Sequence, residues 1–142
     1  MSYQRRYYPR RPVKSFRDLE VYQKVLGLGV EIVKRIRGQD IKRQDNSGIG
    51  TTLLACVSNL PVLIATAHSV RFGDSERAIA TLEEAMLGCN LAVVYLEQYR
   101  DLVNQKIETE YFEEQIKEYL RVRGKIMRLQ KSWIRFMGPK AP

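Results

Sequence analysis

Residues 75–103 read SERAIATLEEAMLGCNLAVVYLEQYRDLV. Ile79, Leu82, Met86, Cys89, Val93, Leu96 and Val103 recur at alternating steps of three and four, broken only at Arg100. That spacing gathers side chains on one stripe of an α-helix. At ~1.5 Å per residue such a helix exceeds ~40 Å in length.

Working outward, RFGDS at 71–75 reads as a turn, and the helix before it runs from about Ile49 to Val70. It carries two apolar seams: Ile49, Leu53, Cys56, Leu60, Leu63, Ala67 and Val70, then Leu54, Val57, Pro61 and Ile64. Either this helix is buried between two neighbours of its own bundle, or the second seam meets another subunit. The second alternative makes Leu54, Val57, Pro61 and Ile64 the expected oligomer interface. Pro61 costs ~3 kcal/mol inside a helix, so a kink or a fresh start after Ser58 and Asn59 is expected.

Upstream, Ser15 is an N-cap with Asp18 three residues on, an acidic form of the capping box. Leu19, Tyr22, Leu26, Val33 and Ile36 give the first helix its apolar positions, and Gly38 ends it before the polar loop GQDIKRQDNSG. A fourth helix is predicted from about Thr109 to Met137, before GPKAP. Sustained period-two alternation is missing throughout. The expected fold is therefore all-α: an antiparallel up-down four-helix bundle over residues 15–137, preceded by a basic arm (1–14) and followed by a short tail (138–142).

The formal charge of +8 is unevenly spread. Residues 1–14 carry +5, residues 15–116 carry −4, and residues 117–142 carry +7. Such polarisation points to a polyanionic partner. On a helical wheel, Lys117, Arg121, Lys125, Arg128, Lys131 and Arg135 share an arc of roughly 120°. Phe112, Ile116, Tyr119, Leu120, Ile126, Met127, Trp133, Ile134 and Met137 take the other side. Six bases along ~27 Å of helix repel one another unless they face phosphates. With Arg5, Arg6, Arg10 and Arg11 of the arm they form the expected nucleic-acid surface, for RNA and also DNA. It would bind backbone in a salt-dependent way. Tyr3, Tyr7 and Tyr8 are placed to stack on unpaired bases, and Pro9 and Pro12 keep the arm extended.

Catalysis finds little support. His68 is the single histidine, near the end of an apolar helix, and reads as a packing residue. Cys56 and Cys89 fall in apolar helical stretches and read as buried free thiols, which suits a reducing compartment. Adjacent pairs such as Glu83 with Glu84 point to different sides of a helix. SGIGTT at 47–52 lacks the Walker lysine and reads as a helix cap. Neither a metal nor a cofactor is expected. The start of the chain lacks an apolar signal-peptide core, and no run approaches the ~18 apolar residues that would span a bilayer. A cytoplasmic protein without membrane contact is the expectation.

The stretch SFRDLEVYQKV at 15–25, with Phe16, Asp18, Leu19, Tyr22 and Gln23, resembles the opening of the four-helix-bundle family first noticed in ribosomal-RNA intervening sequences. Where that family commonly has Asn-Ile-Ala-Glu-Gly in its second helix, this chain reads NLPVLIATAHSV. The later segments AVVYLEQYRDL and RGKIMRLQKSWIRF are similar to one branch, the accessory variability determinant (Avd) proteins of diversity-generating retroelements. Lys131-Ser132-Trp133 stands where that branch often has Gly-Gly-Trp. The resemblance covers about residues 15–137. It implies a ring-like homo-oligomer, a pentamer, that is non-catalytic, binds template RNA and associates with a reverse transcriptase to support mutagenic cDNA synthesis. The alternative is an oligomeric adaptor of the wider family that binds only protein. An enzyme centred on His68 is a remote third.

Overall fold

The computed structural model describes residues 13–38, 48–103 and 106–137. Within them the chain forms a short 3-10 turn at Phe16–Asp18 and four α-helices. These are α1 (Glu20–Gly38), α2 (Ile49–Val70), α3 (Ser75–Val103) and α4 (Lys106–Met137), and no strand occurs among the described residues. The helices form a bundle in which α3 packs along both α2 and α4, while α1 leans mainly on α2 and touches α4 more lightly.

Ser15 does form the capping box, but around the 3-10 turn. Its hydroxyl accepts from the Arg17 N–H at 3.2 Å, and Asp18 accepts from the Lys14 and Ser15 N–H groups at 2.9 and 3.2 Å. These two backbone donors hold the Asp18 carboxyl below the ordinary carboxylate range. The α-helix itself begins at Glu20, after Leu19 returns to extended backbone. At the far end of α1, Gly48 opens α2 in the left-handed region with φ +80°, a conformation glycine adopts without the Cβ penalty. Asp74 caps α3, its carboxylate accepting from the Arg77 N–H at 3.1 Å.

Helix α2 continues unbroken through Pro61, so no new segment starts after Asn59. It is the helix buried between two neighbours. Val57 and Ile64 are fully buried in the protomer's own core, Pro61 is buried and Leu54 is half-buried. Val57 and Ile64 have no surface left for a second subunit, because α1 closes over one side of α2 and α3 over the other. Of the interface expected at Leu54, Val57, Pro61 and Ile64, Val57 and Ile64 are core residues instead, while Leu54 keeps partly exposed surface.

The packed line of α3 runs one residue to the side of the apolar periodicity. Ala78, Ala85, Ala92 and Tyr99 alternate with Leu82, Cys89, Leu96 and Val103 at the core, while Ile79 and Val93 sit half-buried at its edge. Alanines at the heptad-spaced contact let neighbouring helices approach closely. The same closeness recurs at Gly88, where a Cβ would meet Leu60 Cδ2 at 2.6 Å.

By length and composition α2 and α3 would each reach across a bilayer, with mean hydropathies of 1.7 and 1.4 over their most apolar windows. In the bundle Leu53, Leu60, Leu82 and Leu96 of these helices face the shared core. Cys89 lies in that core, where burial pushes its thiol up to about 12.

Candidate nucleic-acid interface

Helix α4 packs one side against α3 through Phe112, Ile116, Tyr119, Val122, Ile126 and Trp133, all buried. Its opposite side carries the basic residues. Lys117, Arg121, Arg128, Lys131 and Arg135 are exposed and Lys125 is half-buried. Leu120 and Ile134, read as packed, are 46% and 43% exposed and belong to the same outer surface.

The basic stripe is not free of acids. Glu118 reaches into it, pairing with Arg121 and with Lys24 of α1, the latter at 3.0 Å. Lys125 pairs at 3.0 Å with Glu20 of α1. These contacts clamp α1 onto α4 and neutralise the middle of the stripe. Among the described residues, Lys117, Arg128, Lys131 and Arg135 have no such carboxylate partner. The free positive charge is thus concentrated toward the C-terminal turns of α4, with Lys117 apart from it. Arg5, Arg6, Arg10 and Arg11 lie outside the described residues.

Further from the stripe, Arg35 of α1 grips Glu108 of α4 with two hydrogen bonds of 3.1 and 3.0 Å, and its guanidinium lies 4.3 Å over the Tyr111 ring. Arg100, which interrupts the periodicity of α3, bridges Asp101 and Glu113 of α4. Both arginines tie helices together and are no part of a free basic face.

The ends of the elements fix what surrounds the stripe. In the up-down order α2 and α4 run parallel, and His68 near the end of α2 lies 6.2 Å from Trp133 near the end of α4, ring centre to ring centre. Gln130 of α4 donates to the Ile79 carbonyl of α3 at 3.1 Å, so α3 begins at this same end. Arg71 donates to the His68 carbonyl at 2.6 Å and to its Nδ1 at 3.1 Å. Because a guanidinium can only donate, His68 Nδ1 is the acceptor and its proton sits on Nε2. Burial, and then the neighbouring Arg71 charge, hold His68 below the ordinary histidine range.

Three buried polar atoms on α4 lack a partner among the described residues: Tyr111 Oη, Gln115 Oε1 and Tyr119 Oη, one helical turn apart. Burial drives the Tyr119 hydroxyl far above the ordinary tyrosine range. Among the described residues no three His, Cys, Asp or Glu side chains converge as a metal site.

No family model, curated protein or solved structure matches this chain.

Proposed function

We propose that this chain is a non-catalytic accessory subunit that binds RNA through the outer face of α4. In this reading it works as a cytoplasmic homo-oligomer beside a reverse transcriptase, as the Avd proteins it resembles do. The observation that carries the polyanion part is the set of bases without carboxylate partners among the described residues, Arg128, Lys131 and Arg135, on the exposed side of a helix whose other side is core. Unpaired like charges in a row gain most from phosphates, since each neutralised phosphate releases a counterion. The reverse transcriptase, the template RNA and the pentamer rest on the resemblance.

A second reading, an oligomeric adaptor for protein partners alone, is favoured by a different surface. Helix α2 contains no Asp, Glu, Lys or Arg from Ile49 to Val70. Its outward side is bordered by exposed Leu26 and Val30 of α1 and by Leu87 and Leu91 of α3. An uncharged face of this kind suits a subunit or protein contact, and both readings use it.

Reversing Arg128, Lys131 and Arg135 to Glu separates them. RNA affinity measured by fluorescence anisotropy should collapse and its salt dependence flatten, with the helical circular dichroism and the scattering mass unchanged. Unaltered RNA affinity in that folded variant removes the α4 assignment and leaves the adaptor. A scattering mass near the 16.5 kDa of one chain removes the oligomer.

A further inference from the structure

Two phenylalanines stand almost fully in solvent at one end of the bundle. Phe72, in the turn between α2 and α3, is 80% exposed, and Phe136, in the last turn of α4, is 85% exposed. They are the most exposed large apolar side chains among the described residues. Phe72 follows His68 by four positions and Phe136 follows Trp133 by three. The contact between His68 and Trp133 therefore places both rings at the same end, each about one turn further out.

Phe72 is also held. The Arg71 guanidinium lies 4.2 Å from its ring centre, and that guanidinium is itself anchored on the His68 carbonyl. A cation stacked on one side of an aromatic ring orients it, and exposure of this extent leaves the opposite side open. The end is basic as well. Lys14, Arg17, Arg71, Arg77, Lys131 and Arg135 lie there with Asp18, Glu20, Asp74 and Glu76. Asp18 and Asp74 are engaged as caps to backbone N–H groups, and Glu20 pairs with Lys125.

Exposed aromatic rings interleaved with arginines are what unpaired bases require: a flat apolar surface for each base and cations for the phosphates between them. Duplexes keep their bases stacked internally and can use only the cations. We infer that the Phe72–Phe136 end of the bundle is a stacking platform for single-stranded nucleic acid. This inference rests on the proposed RNA-binding function and assigns its strand preference to these two rings.

The test measures binding of the full chain to a fluorescein-labelled 20-nucleotide oligouridylate and to an RNA duplex of equal length. Replacing Phe72→Ala and Phe136→Ala should weaken oligouridylate binding by roughly 10-fold per ring and leave duplex binding within about 2-fold. Phe72→Tyr should restore it. In a second measurement, the added tryptophan fluorescence of a Phe136→Trp variant should be quenched by the oligouridylate and not by inorganic polyphosphate. Equal losses on single strand and duplex, or no loss on either, overturn the platform while leaving the α4 assignment standing. Failure of the unmodified chain to bind either RNA overturns both. Ring-dependent binding to phosphatidylserine vesicles with no effect on oligouridylate makes the end a membrane contact and overturns it too.

Discussion

Gly29 of α1 faces the carbonyl of Val57 on α2 so closely that a Cβ on the glycine would sit 3.2 Å from that oxygen. Pro61 has no N–H to offer, so the Val57 carbonyl lacks its usual donor four residues on. A glycine at this point lets α1 come in over the gap. Gly29→Val should therefore destabilise the bundle by about 1–3 kcal/mol, read from urea unfolding followed by circular dichroism. Gly29→Ala should cost less, because alanine returns about 1 kcal/mol of helix propensity. A wild-type midpoint for the valine variant would show that α1 and α2 separate freely here.

Tyr119 points the other way. Its ring is fully buried and its hydroxyl has no partner among the described residues, and a buried unsatisfied hydroxyl costs about 1–3 kcal/mol. Tyr119→Phe keeps the ring and removes the oxygen. The variant should match or exceed the native midpoint; a loss above about 1 kcal/mol would mean the hydroxyl has a partner worth a hydrogen bond.

Stability should depend on pH through His68. The fold holds this imidazole below its ordinary value of 6.5, so the unfolded chain takes up a proton that the folded one refuses. Its contribution is complete above that pH and is lost as the pH falls through it toward the lower folded value. Asp18, held below 3.8, acts in a separate and more acidic window. His68→Gln should flatten the dependence between pH 7 and about 5 without moving the more acidic limb. An unchanged profile in that variant would assign the dependence to other groups.

Freeing the middle of the basic stripe should strengthen RNA binding. Glu118→Gln with Glu20→Gln releases Arg121 and Lys125 from their present partners. The slope of log affinity against log salt should steepen by about one to two. Bundle stability should fall by no more than about 1 kcal/mol per pair, as expected of partly exposed ion pairs. A slope identical to that of the native chain would show that RNA does not reach these two bases.

The bounds of α2 and α3 could be read directly, since Gly48, the RFGDS turn and the apolar runs leave little freedom. The packed faces could not. In α3 periodicity favours Ile79, Met86 and Val93, of which only Met86 is buried, whereas Ala78, Ala85 and Ala92 are buried completely. Alanine contributes little to a hydrophobic pattern, yet its small size decides where helices touch. In α1 the buried line is Val21, Val25, Leu28, Ile32 and Ile36, while Leu26 stays 42% exposed. The six bases of α4 were all visible as a stripe. Their neutralisation was not, since Glu20 meets Lys125 only after α1 folds back along α4. Phe72 and Phe136 fall outside the periodic seams, and only the fold brings them to one end.

Salt acts on this molecule in two places at once. On the proposed function, counterions that would displace a nucleic acid from α4 also screen the pairs Lys24–Glu118 and Lys125–Glu20 between α1 and α4. A phosphate that captures Lys125 takes it from Glu20, so occupancy of the surface and attachment of α1 are reciprocal quantities in the thermodynamic sense. Saturation with RNA should then quicken amide hydrogen exchange in α1 relative to α3. That would make the first helix the reporter of whether the fourth is loaded.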